Sequence, residues 1–141
     1  MNENTVEMVQ KSWAKVIPSV DAVGQIFYDT LFEMDPNLKS MFKGDIQAQS
    51  RKLMQMISIA VSKLRSLDAL VPVLQDLGVK HIEYGVKPAH YDTVAAALLK
   101  TLEAGLGDAF TPELKAAWVD VYSLVAGTMI DAAEHSQTHA A

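Results

Sequence analysis

Cysteine is absent from the 141 residues of this chain. That one absence removes disulfides, thiolate nucleophiles, cysteine-ligated zinc, iron–sulfur clusters and thioether-attached haem. It fits a reducing compartment. Basic residues are also in short supply: 12 Lys and Arg face 17 Asp and Glu, a formal charge of −5. An acidic surface suits neither nucleic acid nor an anionic membrane, so neither is expected as a partner. No apolar run reaches the ~20 residues that a membrane-spanning helix needs. The N-terminal "MNENTVEM" has no basic start and no apolar stretch, so no secretory signal is read there and a cytoplasmic location is expected. Phosphate loops, serine–histidine–acid patterns and nucleophile elbows are missing too.

Strand periodicity is a further absence. No segment alternates at period two for long, and between the Gly and Pro breaks the apolar spacing is helical. Asn4 with Glu7 reads as a capping box ahead of Val6, Val9, Trp13 and Val16. Pro18-Ser19 breaks that helix, and Val20, Val23, Phe27 and Leu31 line the next. Asp35-Pro36 starts a short helix, and Gly44-Asp45 restarts the chain. Gln49, Leu53, Met56, Ala60 and Leu64 then share one side of a long helix. Pro72 belongs in a first turn, and Gly85 ends the segment containing His81. Pro88 precedes Tyr91, Val94, Leu98 and Leu102. Thr111-Pro112 opens a last helix carrying Leu114, Trp118, Val121, Val125 and Met129. Residues 134–141 read as a frayed tail. The expected fold is all-α, one domain over 1–133 with seven to eight helices. Their unequal lengths argue against a plain four-helix bundle.

Half of the residues are hydrophobic, so a core is affordable, and the anomaly within it is His81. It follows Leu74 and Leu77 on one helix face, where a leucine would pack with less trouble. Two readings stand. One is a core histidine bonded to a backbone carbonyl. The other is a metal ligand, the role neutral imidazole fills most often. No Asp, Glu or His cluster accompanies it, so a bare zinc site would lack ligands, whereas an iron held by a macrocycle needs one from the protein. His135 and His139 have i, i+4 spacing but lie in the tail, and His90 sits at a helix start. Tyr28 reads as a buried tyrosine bonded to a backbone carbonyl, and Gln49 as the exposed edge of an apolar face. Met56 lies roughly 10 Å along the helix axis from Gln49, at ~1.5 Å per residue. The methionines therefore read as core filling.

In order along the chain, "SW" at 12–13, "LFEMDP" at 31–36, "MF" at 41–42, "QSRKLM" at 49–54, "LQDLGVKHIEYGV" at 74–86 and "FTPELKAAWVDVY" at 110–122 resemble the globin family. The likeness spans residues 4 to 132. It is greatest to single-domain bacterial globins of the Hell's Gate kind and to neuroglobin, and extends to Vitreoscilla-type and flavohaemoglobin haem domains. The resemblance implies a globin fold around haem b, with His81 as proximal iron ligand. Phe42 matches the phenylalanine packed on the porphyrin. Gln49 and Tyr28 fall at the two distal positions, with Leu53 one turn beyond Gln49. Lys52 matches a residue that reaches a haem propionate, and Val86, Tyr91 and Val94 match the proximal lining. Two departures stand out. The distal residue is Gln where many globins have His, and the last-helix glutamate of flavohaemoglobins is matched by Ala133. A backbone carbonyl near Leu77 is then the expected partner for the second His81 nitrogen.

The implied function is reversible binding of dioxygen at a five-coordinate ferrous iron, with nitric oxide and carbon monoxide as further gas ligands. Two alternatives remain at this level: a nitric oxide dioxygenase served by an external reductase, since no flavin or nicotinamide domain is read in the chain, and a gas or redox sensor.

Overall fold

The computed structural model describes residues 2–41, 45–83 and 87–139. Phe42, Gly44, Gly85 and Val86 lie outside them. Helix α1 (Glu3–Val16) is capped by Asn2, whose side-chain oxygen accepts the Thr5 N–H at 2.8 Å. The cap is thus Asn2 and not Asn4. Asn2 has the extended backbone that lets a side chain reach back to a free N–H, whereas Asn4 is already inside the helix. A 3-10 turn at Ile17–Ser19 carries Pro18 and hands over to α2 (Val20–Met34). The Asp35 carboxylate accepts the Asn37 N–H at 3.2 Å and opens a 3-10 segment, Pro36–Met41.

Helix α3 (Ile46–Ser62) is capped by Asp45, which accepts the Gln47 N–H at 2.9 Å. Helix α4 (Leu67–Glu83) contains Pro72 in its interior, not in its first turn. The Ser66 carbonyl already collects the Ala69 and Leu70 N–H groups, so the helix nucleates upstream of the proline. The price is the Asp68 carbonyl, which loses its intrahelical donor; Asp68 and Pro72 are both exposed, so water can serve it. Helix α5 (Pro88–Leu106) opens with the Lys87 N–H donating to His90 Nδ1 at 2.9 Å, which gives His90 a capping role. Gly107, at φ 57°, ends α5 where a side chain would be strained. A 3-10 turn, Gly107–Ala109, leads to α6 (Pro112–His139), capped by Thr111 through the Leu114 N–H at 3.2 Å.

These six α-helices and three 3-10 segments contain no strand among the described residues, and the all-α class holds. No helix is long and apolar enough to cross a membrane. At the centre Trp13 and Trp118 meet edge to face, centroids 6.0 Å apart. Their indole N–H groups donate to Ser58 and Ser12, at 2.8 and 2.9 Å, so neither burial strands a donor. Around this pair α1 packs on α6 and α3, and α2 packs on α5 and α3. Helix α4 packs most extensively on α6. Helices α3 and α4 share no extended interface among the described residues, because each is held by different supports.

The inward side of α3 differs from the expected one. Its buried residues are Ser50, Met54 and Val61, whereas Gln49, Leu53, Met56 and Ala60 are only partly covered. The deep stripe is offset by one residue, about 100° around the helix. It meets α2 at Gly24, where a methyl group would collide with the Ser50 hydroxyl and come within 3.4 Å of Met54. The missing side chain lets α2 and α3 close together, and the stripe of Leu53 is turned to the side.

Candidate functional site

His81 sits near the end of α4, half-buried. Its Nδ1 lies 2.7 Å from the carbonyl oxygen of Leu77, one turn earlier. A carbonyl only accepts, so Nδ1 carries the hydrogen and Nε2 the lone pair. Burial pulls the imidazole below its ordinary 6.5 more strongly than the Leu77 carbonyl pushes it up, which favours the neutral ring. A neutral ring with Nδ1 tied to a carbonyl is the state in which histidine ligates a metal. The expected Leu77 partner is therefore present.

Tyr91, on the second turn of α5, lies beside this ring. The two rings are 25° from parallel with centroids 6.3 Å apart. Tyr91 is itself anchored from α6: Tyr122 donates its hydroxyl to the Tyr91 carbonyl at 2.6 Å. Burial raises the phenol of Tyr122 above its usual value, with Tyr91 and Asp92 adding to the shift, so it remains a donor. Val94 and Leu77 are partly buried against the same core.

What holds α4 at this depth is a residue that the sequence reading passed over. Gly78 packs on the backbone of α6 at Met129; a methyl there would sit 2.7 Å from the Met129 Cα and 2.8 Å from its carbonyl carbon. Its signal in the sequence was a glycine inside a helix, where alanine is worth ~1 kcal/mol more unless something forbids it. Gly78→Ala is expected to lower stability by about 1–3 kcal/mol in chemical denaturation, since backbone has to move to admit it. Gly127→Ala, on α6 with open space around it, is the control and should stabilise by ~0.5–1 kcal/mol. Equal effects at the two sites would refute the close-approach account.

Tyr28 and Gln49 belong to the α2–α3 crossing. Tyr28 is one turn beyond Gly24, and Gln49 directly precedes Ser50. Tyr28 is 3% exposed and packs on Phe27 and Phe32, with centroids at 5.3 and 5.7 Å. Burial alone pushes its phenol up to about 12, so the hydroxyl keeps its proton at neutral pH. Gln49 is half-buried, and Leu53, one turn on, packs partly against the core. Lys52 is exposed. Phe42 and Val86 lie outside the described residues. Met54 and Met129 are core residues, and His135 is exposed. No group of three or more His, Asp or Glu able to hold a metal occurs among the described residues. A surface cleft between α1 and the start of α6, about 170 Å³ and floored by Met8, Ser12 and Leu114, shares no residue with the site.

This donor set fits a haem. His81 offers a neutral imidazole with a fixed tautomer, and Leu77 on its own helix and Val94 on α5 are apolar side chains that the protein only partly covers. The set does not fit a bare metal ion, which would need several more ligands.

Comparison with known proteins agrees. The sequence model of the Globin family matches residues 25–129. Neuroglobin of Tetraodon nigroviridis is 34% identical, over 87% of this chain and 86% of the relative. The flavohemoprotein of Bacillus subtilis is 29% identical over 92% of this chain, which spans only 33% of that longer protein. In fold, the chain is similar to an engineered carbene transferase made from a candidate nitric oxide dioxygenase of Rhodothermus marinus, with a TM-score of 0.85 and 24% identity over 99% of this chain and 96% of the other. The chain belongs to the globin family, haem proteins that bind diatomic gases.

Proposed function

We propose that the chain holds one non-covalent haem b through Nε2 of His81 and binds dioxygen reversibly. The observation that carries this reading is the 2.7 Å contact between His81 Nδ1 and the Leu77 carbonyl, which fixes the tautomer a proximal ligand needs. When bound, the haem supplies a ferrous iron that takes up diatomic gases. The rest falls to the chain's own residues. Tyr28 offers an O–H and Gln49 an amide N–H to the gas. Leu53, Leu77, Tyr91 and Val94 present apolar surface to the porphyrin and keep water out. Lys52, exposed on α3, is the propionate partner.

The ferrous protein without gas is five-coordinate in this reading. Gln49 has no imidazole and an amide is a poor ligand for ferrous haem. Met56 is roughly 10 Å along the helix axis from Gln49. Tyr28 would have to bind as phenolate, which its upward shift to about 12 opposes. The deoxy spectrum should therefore lack the split visible bands of low-spin iron. Carbon monoxide should bind in a single phase whose rate rises linearly with concentration. Saturation of that rate would reveal an internal sixth ligand and reject the assignment.

A second reading has support in the relatives: the chain resembles a flavohemoprotein and, in fold, a candidate nitric oxide dioxygenase. In that role nitric oxide and dioxygen combine to nitrate with the consumption of one electron, which a separate reductase returns. Two donors that hold dioxygen long enough to meet nitric oxide serve this chemistry as well as they serve storage. Reduction of the ferric protein by cell extract, followed by nitrate yield, separates the enzyme from a carrier. A sensor role has no comparable support.

A further inference from the structure

We infer that the exposed face of α3, with Lys39 on the 3-10 segment before it, is the docking surface for an acidic one-electron carrier protein. The inference rests on the reading in which a separate reductase returns an electron to the iron. Charge is unevenly divided along this chain. Residues 36–66 hold six of the 12 basic residues and one of the 17 acidic ones, a formal charge of +5. The remainder carries −10. Helix α3 itself contains Arg51 and Lys52 and no Asp or Glu. On α1 and α4 a lysine is neutralised one turn away: Lys11 meets Glu7 at 2.7 Å and Lys80 meets Asp76 at 3.0 Å. Arg65, at the corner after α3, is paired with Glu3. Lys39, Arg51 and Lys52 are exposed, and no carboxylate among the described residues pairs with them.

Cations with no acid three or four residues away add nothing to helix stability. On an exposed face they are what a charge-steered encounter uses. The same face carries an apolar anchor. Ile59 is 39% exposed, two turns beyond Lys52 on its stripe, with exposed Gln55 between them. An apolar centre rimmed by polar and cationic side chains is the make-up of a small interface. The 17 residues of α3 span about 25 Å. That suits a transient electron-transfer encounter, which buries under about 1,200 Å² in total. Gln49 and Leu53 of the same helix are given to the gas pocket, so a carrier on the exposed face is separated from that pocket by α3 alone. Lys52 is given to the propionate, which leaves Lys39 and Arg51 to steer. A membrane or a nucleic-acid duplex would reach beyond the patch and meet the remaining surface, which carries the chain's negative charge; a compact acidic protein touches the patch alone. In the transfer one electron leaves the carrier and one enters the ferric iron.

The probe is a plant-type two-iron ferredoxin, an acidic carrier of one electron. Oxidised ferredoxin titrated into the ferric, haem-loaded protein measures docking with no electron able to pass, and the affinity should fall as salt is raised. Reduced ferredoxin, without oxygen, should convert the ferric protein to the ferrous form in a second-order reaction with the same salt dependence. Lys39→Glu with Arg51→Glu should lower affinity and rate at low salt by about tenfold or more. Lys100→Glu with Lys115→Glu makes the same change in net charge at exposed sites on α5 and α6, and should cost less than about threefold. Carbon monoxide association involves no charge and should be the same in both pairs. Equal losses in the two pairs overturn the inference, since net charge alone would then explain the steering. So does an unchanged affinity in Ile59→Gln, which takes the footprint off α3. Docking without reduction, or salt-dependent binding to phosphatidylglycerol vesicles or duplex DNA in place of ferredoxin, overturns it as well. If the reversed pair does not load haem, Lys39→Gln with Arg51→Gln decides: its loss must exceed that of Lys100→Gln with Lys115→Gln. Reduction by ferredoxin with no later nitrate from dioxygen and nitric oxide defeats the enzyme reading while the docking surface stands. A normal Soret band with no binding of ferredoxin defeats the docking surface, and a wild type with no Soret band defeats the haem reading.

Discussion

His81→Ala is expected to lose stable haem binding. Titration of the apoprotein with haemin should give a weak, shifted Soret band, and transfer to a haem scavenger should be complete within the mixing experiment. Removing the outer hydrogen-bond partner of a ligating histidine already costs ~10–100-fold in metal affinity, so removal of the ligand itself should cost at least that. Imidazole added to the buffer should restore part of the spectrum by standing in for the lost ring. Helical content should survive, because His81 is half-buried and its bond to the Leu77 carbonyl lies within its own helix. A variant that binds haemin as tightly as the wild type, with an unchanged spectrum, would remove His81 from the site. The parallel result at Leu77 cannot be obtained by side-chain exchange, since the acceptor is backbone.

Tyr28→Phe should speed dioxygen release by roughly ten- to a hundredfold. Dioxygen gains negative charge on binding, and a hydrogen bond to a charged group is worth ~1.5–3 kcal/mol. Gln49→Leu should act in the same direction. Donors that reach the same oxygen share one charge, so the double variant should lose less than the product of the single effects. Carbon monoxide gains little charge and should leave at nearly unchanged rates, which separates hydrogen bonding from altered access. The pH dependence follows from burial: with the Tyr28 phenol pushed up to about 12, the donor proton stays in place through the neutral and mildly alkaline range. The release rate should be flat there and rise only as pH approaches that value, where the phenol ionises and the donor is lost. Stopped-flow rates that stay within a factor of two in both single variants would reject the donor role.

The sequence by itself determined the class of fold and the order of its corners. Helical spacing of Val6, Val9, Trp13 and Val16, and of Leu114, Trp118 and Val121, marks positions that are indeed buried. Caps at Asp35 and Thr111 were legible because a side-chain acceptor has to stand within a few residues of the N–H it serves. His81 and its Leu77 partner were legible for the same reason, being one helical turn apart. All these signals are local, and local geometry repeats wherever the residues do.

The tertiary structure decided what depends on a second helix. Whether Leu53 or Met54 faces the deep interior is open in a sequence where both are apolar; the Gly24–Ser50 approach settles it for Met54. That Gly78 seats α4 on Met129 needs a contact 51 residues away in sequence, and the Tyr122–Tyr91 bond spans 31. Neither pair has any periodic signature, because no rule of helix spacing links residues on different helices. Pro72 and Asn2 show the converse: where two local starts compete, the one that leaves its unpaired carbonyl or N–H in water or on a cap prevails, and that choice is made by solvent exposure in the folded chain.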